Sequence, residues 1–235
     1  MPTSAAKAEL QTRLTAIRAR MEAACRRRGR DPSEVQLVAV TKSTTIPIAS
    51  LLLDLGVDHL GESRPQELWR KAESLPRSVH WHLIGHLQRN KIERTLPLVE
   101  LIHSVDSIRL LEALESACPL RRPAGIDVLL EVNCSREPNK HGFAPEAISE
   151  LAGRLNSLQF VRVRGLMTMA AWQEAEACRP TFVELRQLRD RLRSQLCLPH
   201  DLVHLSMGMT NDFEVAIEEG ATLIRIGTAL FEGLA

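Results

Sequence analysis

A single α/β barrel of eight parallel strands with an extra N-terminal helix is the fold the sequence predicts, and three observations carry it. Short apolar runs alternate with amphipathic stretches along the chain, as strands and helices do in successive βα units. Eight such units fit into 235 residues, a usual size for one closed barrel and too short for a barrel plus a second sizeable domain. Polar and small residues collect directly after the apolar runs, which a barrel would bring to one mouth. No linker or low-complexity segment interrupts the chain. Residues 1–235 are therefore expected to form one domain, with 1–34 as N-terminal helix and cap and 35–235 as the barrel.

The elements follow in order. Leu10, Leu14, Ile17, Met21 and Ala24 recur at steps of four and three, the stripe of an amphipathic helix over 4–28, and Gly29 with Pro32 supplies its stop. Arg26, Arg27, Arg28 and Arg30 complement the dipole at that end. In residues 35–42, VQLVAVTK, the run Val35, Leu37, Val38, Ala39 and Val40 suits a strand covered on both faces. Strands are then expected at 58–61, 79–84, 101–105, 126–132, 160–166, 202–205 and 222–226. Helices are expected at 46–55, 65–75 with Pro65 in the first turn, 88–96, 108–117, 145–155, 213–219 and 229–234, with a long one over 172–195 broken near Pro180. Strict alternation implies right-handed crossovers and a parallel sheet, and eight units favour closure.

Composition removes several classes of function. Thirty Lys plus Arg against 29 Asp plus Glu leave +1, so no general field attracts nucleic acid or anionic lipid. Cys25, Cys118, Cys134, Cys178 and Cys197 are odd in number, scattered and without a CxxC pair, which argues against a disulfide framework and a structural zinc site. They read as reduced thiols. The N-terminus lacks an apolar signal core and no stretch is long enough to span a membrane, so the cytoplasm is expected. No GxGxxG or GxxxxGK[ST] follows a strand, which disfavours dinucleotide and P-loop sites.

Chemistry is expected at the strand ends. Lys42 closes the first strand; at the rim of a low-dielectric core its amine would lose hydration and gain nucleophilicity, as Schiff-base lysines do, although snorkelling to water is the plainer reading. Lys7, Lys71 and Lys91 fall in helical, solvent-facing patterns and Lys140 in a polar loop. Glu62, Ser63, Gly85, His86, Ser104, Asp106, Asn133, Met167 and Thr168 follow the next five strands. Ser206, Met207 and Gly208 follow the seventh, and Arg225, Gly227 and Thr228 mark the end of the eighth. The loops HLSMGMTND and RIGTALF offer small residues with free amides ahead of helix starts, which suits a phosphate, though glycines there serve turn geometry equally well. His80 and His82 share a strand face near His86 but lack a third converging ligand for zinc. Cys134 has no local base beside it.

In this order, AVTK with Lys42, GESRPQEL from Gly61, HWHLIGHLQRNK from His80, IHSVD from Ile102, NCSREPNKHGF from Asn133, RGLMTM from Arg164, LSMGMTND from Leu205 and RIGTALF from Arg225 resemble the pyridoxal phosphate homeostasis proteins, single-domain relatives of the alanine racemase barrel. The resemblance runs from about residue 35 to 231. It implies pyridoxal 5'-phosphate as cofactor, an internal aldimine on Lys42, and Ser206, Gly208, Gly227 and Thr228 around the phosphate. Arg225 would face the pyridine nitrogen and Ser63 the aldehyde side. Two positions depart from the family pattern: Ser63 and Arg64 stand where asparagine and an aromatic residue are usual, and Glu232 where glycine is usual. The implied role is buffering or delivery of the cofactor, in a monomer or weak dimer, with apoenzymes as recipients. An amino-acid racemase is the alternative, and a barrel binding a phosphorylated sugar a weaker one. The chain contains no tyrosine, the residue that racemases of this barrel set opposite the lysine, and this favours a carrier over a catalyst.

Overall fold

The computed structural model describes residues 4–197 and 200–234. Its centre is a closed barrel in which eight parallel strands follow one another in chain order. These are β1 (Gln36–Val40), β2 (His59–Glu62), β3 (His80–Leu83), β4 (Leu101–Val105), β5 (Ile126–Glu131), β6 (Val161–Met167), β7 (His204–Ser206) and β8 (Leu223–Ile226). β8 returns to β1 with Val38 opposite Arg225, which closes the ring. All eight expected strands are present.

Helix α1 (Ser4–Arg27) buries the stripe read from the sequence, Leu10, Leu14, Ile17, Met21 and Ala24, together with Cys25. It packs across α8 (Phe213–Glu218) and α9 (Thr228–Phe231). The arginines at its end do more than complement a dipole. Arg27 Nε lies 2.5 Å from Glu218 and Arg28 Nη2 3.1 Å from Glu219, while Arg30 donates to the Ile217 carbonyl at 2.6 Å. They fasten α1 to the end of α8.

The helical layer also contains α2 (Ile46–Asp54), α3 (Pro65–Ser74), α4 (Ile92–Thr95), α5 (Ile108–Arg121), α6 (Ala152–Leu155) and α7 (Arg179–Arg193). Three expected helices are shorter or tighter. Residues 88–96 begin as a 3-10 turn (Arg89–Lys91), residues 145–155 as a longer one (Pro145–Leu151), and the stretch from 172 yields only Ala175–Cys178 before α7. Pro180 stands in the first turn of α7, where a missing N–H costs nothing, so it starts that helix instead of breaking one. Pro119 sits in the last turn of α5, two residues beyond the expected end near 117, and the helix runs on to Arg121.

Two apolar layers result. The larger lies between the strands and the helices, and a small one of Val38, Leu101, Leu129, Met167 and Leu223 fills part of the barrel's inside. No helix among the described residues is long and apolar enough to cross a membrane.

Candidate functional site

The strand ends converge as expected, but two lysines differ from expectation in their exposure. Lys42 is exposed on the turn after β1, so its amine is hydrated and does not lie against the core. It has no hydrogen bond or ion pair among the described residues. Lys71, expected to face solvent, is only 1% exposed. Its Nζ donates to Glu62 Oε1 and to the Thr41 carbonyl, both at 2.5 Å, and Thr41 Oγ1 donates to the same carboxylate oxygen at 2.7 Å. The residue before Lys42 is thus pinned from both its carbonyl and its side chain. The signal was available: Leu68, Lys71 and Leu75 lie at steps of three and four on the buried face of α3 and its C-terminal cap. A lysine in an apolar stripe points to a buried partner, and Glu62 at the end of β2 is that partner.

Ser206, Gly208 and Arg225 come together. Arg225 is 4% exposed; its Nη1 donates to Ser206 Oγ, its Nη2 to the Thr168 carbonyl at 2.9 Å, and its backbone N–H to the Gly208 carbonyl at 3.0 Å. Burial pushes the guanidinium down to about 10, against weaker pulls from Asp212 and Glu131. Gly227 packs on Val40 at the end of β1, the strand that leads to Lys42. Thr228 is exposed, and half-buried Ser63 lies with its carbonyl where a Cβ on Gly85 would meet it at 2.3 Å. Lys42, Ser63 and Thr228 share this mouth through their strand ends.

The phosphate reading needs one correction. The helices after the last two loops span only six and four residues, too short to supply much dipole. Asp212 Oδ1 already accepts the Met209 N–H at 2.6 Å, so that amide is spent. Gly208 turns tightly against α8. Its φ is +91°, and an added Cβ would meet Ala216 Cβ at 2.6 Å and Phe213 Cα at 2.9 Å. Gly208→Ala is expected to destabilise the protein by about 1–3 kcal/mol, read as a lower urea midpoint. Glu232 is exposed.

At the mouth the strand-end residues His86 and Asp106 are joined by His141, which no sequence pattern announced. His86 Nδ1 lies 2.8 Å and His141 Nδ1 3.7 Å from Asp106 Oδ2, with the two rings stacked at 4.7 Å. These are the described residues spaced to converge on a cation, and a charge-assisted hydrogen bond already accounts for the contact between His86 and Asp106. His82 belongs elsewhere, in a line of side chains inside the barrel, and His80 stacks on His59 at the outer end of that line. Nearby, burial and then Asp106 push the Glu131 carboxyl up to about 7.

Burial holds His82 down to about 3 and lowers His103, His59, His200 and His204 below the ordinary 6.5. The unfolded chain therefore binds more protons than the folded one as pH drops through 6.5, and stability present above that pH is lost below it. Glu131 acts in the opposite sense between 4.5 and about 7, but one carboxyl faces five imidazoles. The urea midpoint is expected to fall between pH 6.5 and 5.

The fold and this mouth define a class: the alanine racemase N-terminal domain, whose family description matches residues 12–234. Within it, a protein of Aquifex aeolicus named pyridoxal phosphate homeostasis protein is 40% identical over 221 residues, 93% of this chain and 96% of that one. The human protein of the same name is 34% identical, covering 93% and 84%. PipY of Synechococcus elongatus, solved with pyridoxal phosphate bound, superposes with a TM-score of 0.80 at 32% identity over 94% of this chain and 99% of its own. This chain belongs to the pyridoxal phosphate homeostasis protein family.

Proposed function

We infer that the chain binds pyridoxal 5'-phosphate at the barrel mouth as a Schiff base on Lys42 and buffers or delivers it in the cytoplasm. The observation that carries the reading is the pairing of a free, exposed amine after β1 with the glycine turns after β7 and β8 beside buried Arg225, on a chain whose family includes a relative with this cofactor bound. The donor set fits a phosphorylated aldehyde. Lys42 would supply the primary amine that holds the aldehyde carbon as C=N, with water as the leaving product. Around the phosphate we assign Gly208, Gly227 and Thr228, and to the ring side Arg225 with Ser206, whose hydroxyl is held between Arg225 and His103, and Ser63 toward the aldehyde. When bound, the cofactor supplies an electron sink for amino-acid chemistry.

The chain's own residues work against using that sink. Arg225 is a donor only, so a ring nitrogen facing it stays unprotonated and draws electrons weakly. No tyrosine exists to move a proton on the face opposite Lys42. Transient apoenzymes that take up the cofactor would be the partners, with the chain as a monomer or weak dimer. Incubating the loaded protein with L-alanine in heavy water is expected to give no α-deuterium beyond that produced by free cofactor. Fast exchange that disappears in Lys42→Ala would make it a racemase-like enzyme instead.

A further inference from the structure

The inside of this barrel departs from the branched aliphatic filling common to the fold. Val38, Leu101, Leu129, Met167 and Leu223 fill part of it, and a line of polar side chains occupies much of the rest. His59 Nδ1 lies 2.8 Å from His82 Nε2, His82 Nδ1 lies 2.8 Å from His103 Nε2, and His103 Nδ1 lies 2.8 Å from Ser206 Oγ. Arg225 donates to that same hydroxyl. His82, His103 and Ser206 are all buried. Both nitrogens of two fully enclosed imidazoles are therefore committed to this one line, which runs from the start of β2 to the mouth.

A neutral imidazole has one N–H, so the line can run in only one sense at a time. Both inner histidines are neutral near pH 7, since burial dominates their titration. The sense is set at the mouth. A guanidinium only donates, so Ser206 oxygen accepts from Arg225 and its single hydrogen goes to its other partner, His103 Nδ1. His103 Nε2–H then donates to His82 Nδ1, and His82 Nε2–H donates to His59 Nδ1. Each bond polarises the next, which leaves Ser206 oxygen a stronger acceptor. Arg225 needs that support. It is a buried cation with no carboxylate within 4.0 Å among the described residues; Asp212 and Glu131 act on it from farther off.

We propose that His59, His82, His103 and Ser206 form a one-way hydrogen-bond relay through the barrel that holds the Arg225 guanidinium in place, making His59, at the opposite end, a positioning residue for the ligand bound over Arg225. The relay stands on the geometry; its effect on the ligand rests on the cofactor reading above. At the outer end, His80 stacks on His59 at 4.6 Å and is itself bonded to Glu100, with Asp58 4.0 Å away. His204, bonded to Thr222 at 3.2 Å, is the other imidazole facing the line.

Two-bond 1H–15N spectra of histidine-labelled apoprotein read each tautomer, and His59, His82 and His103 are all expected as Nε2–H forms. In His59→Phe the last acceptor is gone. His82 and His103 are then expected to shift toward mixed tautomers, with Kd for pyridoxal 5'-phosphate rising roughly three- to tenfold, the worth of one hydrogen bond. His59→Asn, whose amide oxygen takes the place of Nδ1, is expected to restore both. An Nδ1–H form of His103 in the wild-type protein overturns the relay without any variant. So does an unchanged His103 signal in a folded His59→Phe protein whose Kd stays within about twofold of wild type. If the tautomers respond as expected while the wild-type protein fails to bind pyridoxal 5'-phosphate, the relay stands and the cofactor reading falls.

Discussion

Lys42→Ala is expected to remove the covalent adduct completely: borohydride reduction of protein saturated with pyridoxal 5'-phosphate labels the peptide carrying Lys42 in the wild type and no peptide in the variant. The alternatives among the lysines are poor. Lys7 is paired with Asp54 at 2.8 Å, and Lys71 is enclosed with Glu62. Lys140 donates to Ser135 Oγ and to the carbonyls of Met169 and Ala170. Lys91 follows β3 in the 3-10 turn Arg89–Lys91 and is half-buried. Amine attack needs an unpaired, reachable nitrogen, and Lys42 offers one at a strand end. Full adduct formation in Lys42→Ala, mapped to Lys91 or Lys140, would reassign the covalent lysine.

The barrel was legible because its outer layer obeys periodicity. β1, β5 and β8 are largely apolar runs, and α1 shows its stripe at steps of three and four, so these could be read from spacing, and the short polar strands β2, β3 and β7 from their place in the alternation. The helices over 88–96 and 145–155 misled because apolar spacing does not distinguish an α-helix from a 3-10 turn that buries the same side chains. Strand ends likewise located Ser206 and Arg225, since a barrel delivers those positions to one mouth. What spacing hid was pairing across the sheet. Lys71 meets Glu62 only after α3 folds back over β2. The interior line joins histidines on β2, β3 and β4 to a serine on β7, and these share no sequence neighbourhood. The cluster of Asp106 with His86 and His141 is of the same kind, drawn from three separate loops.

The second large effect concerns stability. Lys71 and Glu62 are 1% and 0% exposed at the side chain and lie 2.5 Å apart. Glu62 Oε2 already has no partner among the described residues, so the carboxylate relies on Lys71 and on the Thr41 hydroxyl through its other oxygen. Lys71→Ala leaves that carboxylate buried and uncompensated and is expected to cost about 3–5 kcal/mol. At this chain length the melting temperature should drop by roughly 10 °C or more. The same change releases the Thr41 carbonyl, the anchor adjoining Lys42, so Schiff-base formation should slow even where the variant remains folded. Lys71→Met with Glu62→Leu separates the two consequences. Removing both charges together abolishes the stranded carboxylate and should recover most of the melting temperature, because well-packed apolar residues commonly replace a buried ion pair at little cost. The Thr41 carbonyl still lacks its donor, so slow Schiff-base formation should persist in the double variant. A double variant no more stable than Lys71→Ala would show that the lysine's packing, and not its charge, is what the core loses.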